Sequence, residues 1–414
     1  MTNGFLNYAR ESFETWQWHA DAVYQQWMKN PLLINIVREN QNQMLQTYAL
    51  SRHWSEQLFG TSSLLESSLH TWNQATRAMI PIAATPSQVV YQEDRLRVLR
   101  FQPRKPKAFG IPLLIVNSLV NRYYLLDLTP GRSLIEYLTN LGFDVYSIDW
   151  GTPLEEDRIL TLEDFVCRYI PNCVAAVQKC SGSKHVSVLG YSMGGVLSLM
   201  YSALYPKQVA NLVLFATPVD FSQAGVIHNW INQDTFNLDR LIETCGNVPG
   251  ELILASFRTL KPISNLTLGI NFAQYVTDPE HFRALLAVET WFNDCVAIPG
   301  EFYRQFVKAT YYRNSLVRGK LKFNGNQVNL KNITCPILNV CGDKDQVVPP
   351  ECSSVLWDLV GSDDYHEVVF PFGHLSMSVG AGAKTSVWPK TADWLMEKSV
   401  NQGSGFRVQG LKKK

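Results

Sequence analysis

Between residues 86 and 400, apolar runs of strand length alternate with segments of helical periodicity. The runs typical of strands are 89–101, 111–119, 143–150, 185–192, 209–218, 335–345 and 365–374. The segments with helical spacing are 133–142, 161–180, 194–206 and 388–399. Several of the strand-like runs are almost continuously apolar, as in strands that are covered on both faces. This alternation predicts an α/β domain with a mainly parallel sheet and helices on both faces.

The alternation is interrupted once and is absent from both ends of the chain. Residues 219–310 are aromatic and mostly helical, and they are too many for a loop, so they predict a helical cap insertion over the carboxyl edge of the sheet. Residues 1–85 are predicted to form an N-terminal helical extension. Its tryptophans pack either on the body of the same chain or on a partner or apolar surface. Residues 401–414 are expected to be a flexible basic tail that follows the α/β domain of residues 86–400.

Charge and cysteine placement narrow the class of protein further. The 37 basic and 36 acidic residues leave a net charge of +1, so no global field attracts nucleic acid. The 8 cysteines are scattered and form no pair or cluster with metal-ligand spacing, which favours a reducing compartment. Neither a secretory signal nor an apolar run of membrane-spanning length is visible. We therefore expect a cytoplasmic protein with no transmembrane segment, nucleic-acid partner, metal or cofactor.

A candidate nucleophile lies at the end of the run 185–192, where the sequence reads Gly190-Tyr191-Ser192-Met193-Gly194. This is the pattern G-x-S-x-G between a predicted strand and a predicted helix, the context in which the serine occupies a sharp turn above the sheet. The helix that follows directs its first amides and its positive dipole end toward developing negative charge. The interpretation as a small residue in a tight loop is the alternative.

A serine nucleophile needs a base and a group that orients the base, and in this topology the chain order is Ser, Asp or Glu, then His. Asp343 and Asp345 follow the predicted strand 335–345, and His374 follows the run 365–374. Both places are carboxyl ends of strands, on the same edge as Ser192. We choose Asp345, because the Pro349-Pro350 pair after it predicts a rigid loop, and Asp343 remains the alternative.

Two backbone amides are candidates for an oxyanion hole. The amide of Met193 is the first, and the second is expected from the loop after the strand 111–119, at Leu119 or Val120, of which we choose Val120. Residues 117–124 could alternatively be a simple polar strand exit. No dinucleotide-binding or phosphate-loop glycine pattern is present.

Longer stretches of the chain go beyond a generic motif. They read VNRYYLLDLTPGRSLIEYLTNLGFDVYSIDWGTP at 120–153, GYSMGG at 190–195, CPILNVCGDKDQVVPP at 335–350 and FGHLSMSVG at 372–380. Over residues 86–398 the sequence resembles the poly(3-hydroxyalkanoate) synthases, most closely the class III type that works with a second subunit. The resemblance implies an α/β-hydrolase fold with a mobile cap. It also implies joining of hydroxyacyl units from hydroxyacyl-CoA into polyester, with Ser192, Asp345 and His374 in the catalytic positions.

The sequence departs from that family pattern at two positions. The resemblance implies cysteine as nucleophile, where this chain has Ser192, and histidine after the aspartate, where it has Gln346. A thiolate is the stronger nucleophile and the better leaving group. A serine ester lies lower in energy than a thioester, so the acyl-enzyme forms downhill and is released less readily. Serine therefore favours hydrolysis or transfer to an alcohol, although the hydroxyl of a growing chain is itself an alcohol.

Three functional hypotheses follow. The first is a synthase-like acyltransferase acting on hydroxyacyl-CoA through a covalent acyl-enzyme. The second is a serine hydrolase of synthase ancestry, acting as an esterase, thioesterase or polyester depolymerase. The third is a non-catalytic synthase-like subunit, against which the complete Ser, Asp and His set argues. The expected partners are the hydroxyacyl-CoA or ester substrate, a second synthase subunit or a second copy of the chain, and the surface of a polyester granule.

Overall fold

The computed structural model describes residues 80–103, 105–106, 109–231, 233, 236–260 and 279–401. The predicted extension therefore lies mostly outside the described residues, as does the tail beyond residue 401. The strands are β1 (Ser87–Glu93), β2 (Leu96–Phe101), β3 (Leu113–Val116), β4 (Asp127–Thr129), β5 (Arg132–Ser133), β6 (Val145–Asp149), β7 (Val186–Tyr191), β8 (Val209–Phe215), β9 (Lys322–Phe323), β10 (Asn326–Gln327), β11 (Ile337–Gly342) and β12 (Tyr365–Phe370).

One large sheet carries the domain. In the described part of the chain it has 8 strands in the order β1-β2-β6-β3-β7-β8-β11-β12. The pairs β1·β2 and β2·β6 are antiparallel, whereas every neighbouring pair from β6 to β12 is parallel. The predicted mainly parallel sheet is confirmed. Because β7, β11 and β12 run in the same direction, the loops after them meet at one edge of the sheet.

The helices are α1 (Leu134–Asn140), α2 (Ile170–Ser181), α3 (Met193–Leu204), α4 (Gly225–Trp230), α5 (Leu238–Cys245), α6 (Gly250–Leu260), α7 (Pro279–Asn293), α8 (Gly300–Val307), α9 (Pro350–Ser354), α10 (Leu356–Leu359), α11 (Ser376–Val379) and α12 (Trp388–Asn401). A wider helical turn, Asp164–Tyr169, leads into α2, and a second, Lys308–Tyr312, continues α8. Helices α4 to α8 lie in the chain between β8 and β11, in and around the predicted cap insertion.

Two apolar layers sandwich the sheet. On one face, α2 and α3 bury side chains such as Val174 and Leu197 against the strands. On the other face, α1 and α12 bury Leu138 and Trp388. The parallel strands are therefore covered on both sides, which explains why β7, β8 and β11 are mostly apolar and are buried along their whole length. The prediction of helices on both faces is confirmed.

The prediction of one strand over 89–101 is wrong. The segment forms the antiparallel hairpin of β1 and β2, with Glu93 paired to Leu96. The turn between them places Asp94 at a φ of 50°, in the left-handed region that aspartate tolerates better than most residues. Residues on both sides of the turn continue the alternation of polar and apolar side chains, so periodicity alone cannot locate it.

Candidate active site

Ser192 occupies a strained turn between β7 and α3. Its backbone has a φ of 53° and a ψ of −120°, a region that residues with side chains rarely adopt. The turn is held from both sides, because the Ser192 amide donates to the carbonyl of Phe215 at 2.8 Å and the Ser192 carbonyl accepts from Gly195 at 2.9 Å. The cost of this conformation is offset by the surrounding contacts, and the serine is fixed at the carboxyl edge of the sheet.

The glycines of the motif are required by close packing. A Cβ atom at Gly190 would lie 2.5 Å from the Cα atom of Gly195. A Cβ at Gly194 would overlap the carbonyl oxygen of Val116, and one at Gly195 would overlap the side chain of Thr217. Helix α3 thus approaches β3, β7 and the end of β8 more closely than any side chain permits. This close packing explains why the G-x-S-x-G-G pattern has glycine at these three positions.

Asp345 and His374 form a hydrogen-bonded pair. Oδ2 of Asp345 lies 2.7 Å from Nδ1 of His374, and Oδ1 accepts from the amides of Val347 and Val348, each at 2.9 Å. The Asp345 side chain is 0% exposed and that of His374 is 14% exposed. Asp343, the alternative, is exposed to solvent. The loop after β11 therefore directs Asp345 to the imidazole, with its second oxygen anchored by backbone.

Tyr191 connects the pair to the strained turn. Its hydroxyl donates to the carbonyl of His374 at 3.4 Å, and the centroids of the two rings are 5.4 Å apart. Among the described residues, no hydrogen bond joins Ser192 Oγ to the imidazole, which is bonded to Asp345. Such contacts are often long without substrate and tighten in the reacting complex. The sequence predicts the three residues at one edge of the sheet, and the structure places them on the loops after β7, β11 and β12 at that edge.

The candidate oxyanion donors also lie beside Ser192. Met193 is the first residue of α3, so its amide has no carbonyl one turn earlier in the helix to bind. Val120 lines the same cavity as Ser192 and Met193, whereas Leu119 is buried in the apolar layer under α2 and α3. The Val120 amide donates to the hydroxyl of Ser118 at 3.2 Å. That hydrogen bond has to exchange before Val120 can donate to a substrate oxygen.

The loop that carries Val120 is clamped to the end of α7. The carboxylate of Asp294 accepts from Tyr124 Oη at 2.7 Å and from Arg122 Nε at 3.3 Å. The indole Nε1 of Trp291 donates to the carbonyl of Arg122 at 2.9 Å. Asn121 completes the contact with a bond from its Nδ2 to the carbonyl of Trp291 at 3.2 Å. No sequence pattern singles out Asp294 or Trp291, because contacts between distant segments leave no periodic signal.

Two residues that follow this loop belong to the core. Tyr124 and Asp127 are 3% and 1% exposed, so neither lines an entrance to the cavity. Asp127 accepts hydrogen bonds from the hydroxyls of Thr85 at 2.5 Å and Ser133 at 2.7 Å. These contacts tie the segment before β1 to the start of α1. Burial raises the pKa of Asp127 above its ordinary value, although the bonds from Thr85 and Ser133 oppose the shift.

A cavity of about 150 Å³ opens beside Ser192. Its walls come from the cap helices and from the loops after β8 and β11. The lining is mostly apolar and comprises Val120, Ser192, Met193, Pro218, Phe221, Ile227, Ile231, Phe236, Leu241, Val248, Leu252, Ile253, Ser256, Phe257, Ile298, Tyr303, Phe306, Val307, Tyr311, Val347 and Val348. An apolar pocket with a nucleophile in its wall suits an acyl chain attached to a reactive carbonyl.

The described ranges contain neither a metal site nor a membrane-spanning helix. No group of three or more His, Cys, Asp or Glu side chains in them is arranged to hold a metal ion. No helix within them combines the length and the apolar character needed to cross a bilayer.

Family models match two overlapping parts of the chain. A model described as "alpha/beta hydrolase fold" matches residues 111–381. A model described as "Poly-beta-hydroxybutyrate polymerase (PhaC) N-terminus" matches residues 53–138. The second match begins upstream of residue 86, where the sequence analysis started the resemblance. The family relationship thus extends into the segment predicted as an N-terminal extension.

The chain is also similar to individual proteins of the same family and fold. The poly(3-hydroxyalkanoate) polymerase subunit PhaC of Allochromatium vinosum is 41% identical over 324 residues, which cover 77% of this chain and 90% of that protein. The corresponding subunit of Haloferax mediterranei is 37% identical over 326 residues, which cover 78% of this chain and 66% of that protein. The crystal structure of a candidate lipase from Sulfolobus solfataricus matches with a TM-score of 0.51 at 17% identity, covering 76% of this chain and 99% of that one, and it supports the fold alone.

The mainly parallel sheet, the strained serine turn and the family match over residues 111–381 define an enzyme of the α/β-hydrolase superfamily. The predicted fold class is therefore confirmed. Within that superfamily, the chain belongs to the poly(3-hydroxyalkanoate) polymerase PhaC family.

Proposed function

We propose that this protein is an acyltransferase that transfers hydroxyacyl groups from coenzyme A thioesters, through an ester on Ser192, to the hydroxyl end of a growing polyester. The observation that carries the proposal is the opening of the strained Ser192 turn into a mostly apolar cavity of about 150 Å³ in a member of the PhaC family. A charged or strongly polar acyl group would lose its hydration in such a cavity without compensation. A short hydroxyacyl group fits this lining better.

In the first half-reaction, His374 Nε2 takes the proton of Ser192 Oγ as the oxygen attacks the thioester carbonyl. Asp345 holds the imidazole through Nδ1 and stabilises its charged form. The amides of Met193 and Val120 donate to the oxyanion, each worth about 3 kcal/mol of barrier. The carbon–sulfur bond then breaks, and coenzyme A leaves as a thiol with the proton from His374.

In the second half-reaction, His374 takes the proton of an acceptor hydroxyl, whose oxygen attacks the ester carbonyl of acyl-Ser192. The ester bond to Ser192 breaks, and His374 returns the proton to the serine oxygen. Transfer from one alcohol ester to another is close to balanced in energy. A serine nucleophile is therefore compatible with chain growth, whereas its acylation by a thioester is downhill.

Water is the competing acceptor, and Ser192 in place of cysteine favours this second candidate function, a serine hydrolase. The two functions share the first half-reaction and differ only in the acceptor. The apolar lining favours the polymerase, because it disfavours entry of water next to the acyl-enzyme. Under the hydrolase alternative the product is a free hydroxy acid rather than a polymer.

The test is incubation of the purified full chain with 3-hydroxybutyryl-CoA. Release of coenzyme A, mass spectrometry of the peptide containing Ser192 and analysis of the product give three independent measurements. We expect an acyl-Ser192 adduct and oligomeric ester, both lost in Ser192→Ala. Coenzyme A release with monomeric acid alone would establish the hydrolase instead. Absence of any adduct, together with an unreactive Ser192 toward a fluorophosphonate probe, would favour the non-catalytic subunit.

A Ser192→Cys variant separates the nucleophile from the rest of the site. The substitution preserves the small side chain that the turn requires and supplies the thiol that the family resemblance implies. We expect the variant to retain polymer formation, because the cavity and the His374–Asp345 pair are unchanged. A variant that forms the acyl adduct but only hydrolyses it would indicate that the pocket favours water as the acceptor whichever nucleophile is present.

The proposal extends to location and assembly. A polymerase that uses coenzyme A thioesters would work in the cytoplasm, at the surface of the polyester that it makes, with a second synthase subunit or a second copy of itself. The even charge balance and the scattered cysteines support this location. Light scattering of the purified chain, with and without 3-hydroxybutyryl-CoA, tests the assembly. Sedimentation with polyester granules tests the surface, and a chain that stays monomeric and unbound would contradict both.

A further inference from the structure

The cavity beside Ser192 contains few polar side chains, and their states differ. Ser192 is the candidate nucleophile. Ser256 donates its hydroxyl to the carbonyl of Leu252 at 2.9 Å, within its own helix. The remaining hydroxyls are those of Tyr303 and Tyr311, which both line the cavity. Within the described ranges, neither of these phenols makes a hydrogen bond. Two hydroxyl donors are therefore available in a lining that is otherwise mostly aliphatic and aromatic.

The two tyrosines are fixed and close to each other. Tyr303 lies on α8, between Phe302 and the buried Phe306, and Tyr311 lies on the helical turn that continues α8. The ring of Tyr311 packs edge-on against Phe221, with 4.8 Å between centroids. Burial raises the pKa of both hydroxyls. The nearby Tyr312 raises the pKa of Tyr303 further, and the nearby Tyr303 raises the pKa of Tyr311 further. Both are thus protonated donors at any physiological pH.

Tyr303 and Tyr311 are partly buried, and their phenols have no hydrogen-bond partner among the described residues while they line a mostly apolar cavity, so a polar atom of a bound ligand is the natural partner for both. We propose that Tyr303 and Tyr311 are specificity-determining residues that donate hydrogen bonds to an oxygen carried by the acyl chain. The inference rests on the proposed function, because it assumes that an acyl group attached to Ser192 fills this cavity.

The oxygen is either the free hydroxyl of a single hydroxyacyl unit or the ester oxygen that replaces it once the chain has grown. Both are hydrogen-bond acceptors, and plain fatty acyl groups of the same length have neither. The cavity would therefore discriminate by the presence of that oxygen. Sites that hydrogen-bond a substrate hydroxyl reject the analogue without it more strongly than apolar pockets reject a change of size.

Tyr312 provides a matched control next to Tyr311. Its hydroxyl donates to the carbonyl of Phe236 at 3.2 Å, and it is absent from the cavity lining. Tyr312→Phe removes the same oxygen atom from the same helical turn, at a residue whose own side chain does not line the cavity. Tyr303→Phe and Tyr311→Phe remove the two hydroxyls that face the acyl group and leave each ring in place.

The experiment compares 3-hydroxybutyryl-CoA with butyryl-CoA in acylation of the full chain. The rate of coenzyme A release gives kcat/KM for each thioester, and mass spectrometry verifies the adduct on Ser192. We expect the intact protein to prefer the hydroxyacyl thioester about 10- to 100-fold. Tyr303→Phe and Tyr311→Phe should reduce that preference by slowing the hydroxyacyl reaction alone. Tyr312→Phe should leave it unchanged.

The possible outcomes distinguish failure of this inference from failure of the proposed function. Equal rates for both thioesters in the intact protein would overturn the inference while leaving the proposed function standing. A preference that survives in both Tyr303→Phe and Tyr311→Phe would also overturn it. Absence of acyl-Ser192 with either thioester would overturn the proposed function and this inference with it. The comparison in the intact protein needs no variant, so it decides the matter even where a phenylalanine variant fails to fold.

Discussion

Oδ2 of Asp345 lies 2.7 Å from Nδ1 of His374, and the opposite oxygen of the carboxylate is held by two backbone amides. An aspartate fixed in this way cannot rotate toward solvent, so it specifies the tautomer of the imidazole. A hydrogen on Nδ1 bonds to the carboxylate, so the neutral imidazole carries its lone pair on Nε2. The loop after β11 thus orients the imidazole of His374 through Asp345.

Asp345→Asn should lower kcat for coenzyme A release about 10⁴-fold, because an amide in this place favours the wrong imidazole tautomer while leaving the fold intact. Asp343→Asn is the matched control. Asp343 is exposed two residues away, and its replacement should change kcat less than a few-fold. Full activity of Asp345→Asn, or inactivity of Asp343→Asn, would contradict the assignment of the orienting carboxylate.

Gly195→Ala should destabilise the protein by about 1–3 kcal/mol or more, because its Cβ would overlap the side chain of Thr217. The displaced helix would also move the Met193 amide, so labelling of Ser192 by a fluorophosphonate should slow. Gly110→Ala is the control. A Cβ at Gly110 meets nothing within 4 Å, and this change should alter the free energy of unfolding by less than about 0.5 kcal/mol. Urea unfolding measures both, and equal stabilities would refute the close-packing argument.

The sequence predicts the parallel part of the sheet well, because strands covered on both faces leave an unmistakable apolar run. It also predicts the places of Ser192, Asp345 and His374, since parallel strands deliver the residues after them to one edge. The β1–β2 hairpin could not be recognised. Its turn at Asp94 contains neither glycine nor proline, and the alternation of side chains continues on both sides of it.

The polar contacts between distant segments also could not be predicted from the sequence pattern. The carboxylate of Asp294 accepts hydrogen bonds from Arg122 and Tyr124, which lie about 170 positions earlier in the sequence. Isolated polar residues in helical segments have no pattern that distinguishes a buried clamp from a solvated face. The same holds for Tyr303 and Tyr311, which read as ordinary aromatic positions until the cavity between the cap and the sheet is known.

Asp294→Asn should lower kcat about 10-fold with little change in KM. Asp294 holds the loop that carries Val120, and hydrogen bonds to a charged group are worth about 1.5–3 kcal/mol. A misplaced oxyanion donor weakens binding of the transition state rather than of the substrate. Glu156→Gln is the control, because Glu156 is an exposed carboxylate that pairs with Arg95. A rise in KM without a change in kcat would contradict the positioning role.

The pH dependence of stability should reveal the buried carboxyl of Asp127. Burial raises its folded-state pKa above the ordinary value of 3.8, so between the two values the folded protein keeps a proton that the unfolded chain has released. The folded state then binds more protons, and the free energy of unfolding falls as pH rises through this window. Asp127→Asn cannot ionise and lacks this contribution.

The free energy of unfolding is therefore to be measured in urea for the intact protein and for Asp127→Asn, at a series of pH values from 3.8 upward. The difference between the two, intact protein minus variant, should decrease with rising pH until Asp127 is ionised in both states, because all other titrating groups cancel in the subtraction. Thr85→Val provides a second comparison. It removes a hydrogen bond that opposes the shift, so the decrease should continue to higher pH. A difference that stays constant or increases with pH would mean that Asp127 is already ionised in the folded core at pH 3.8.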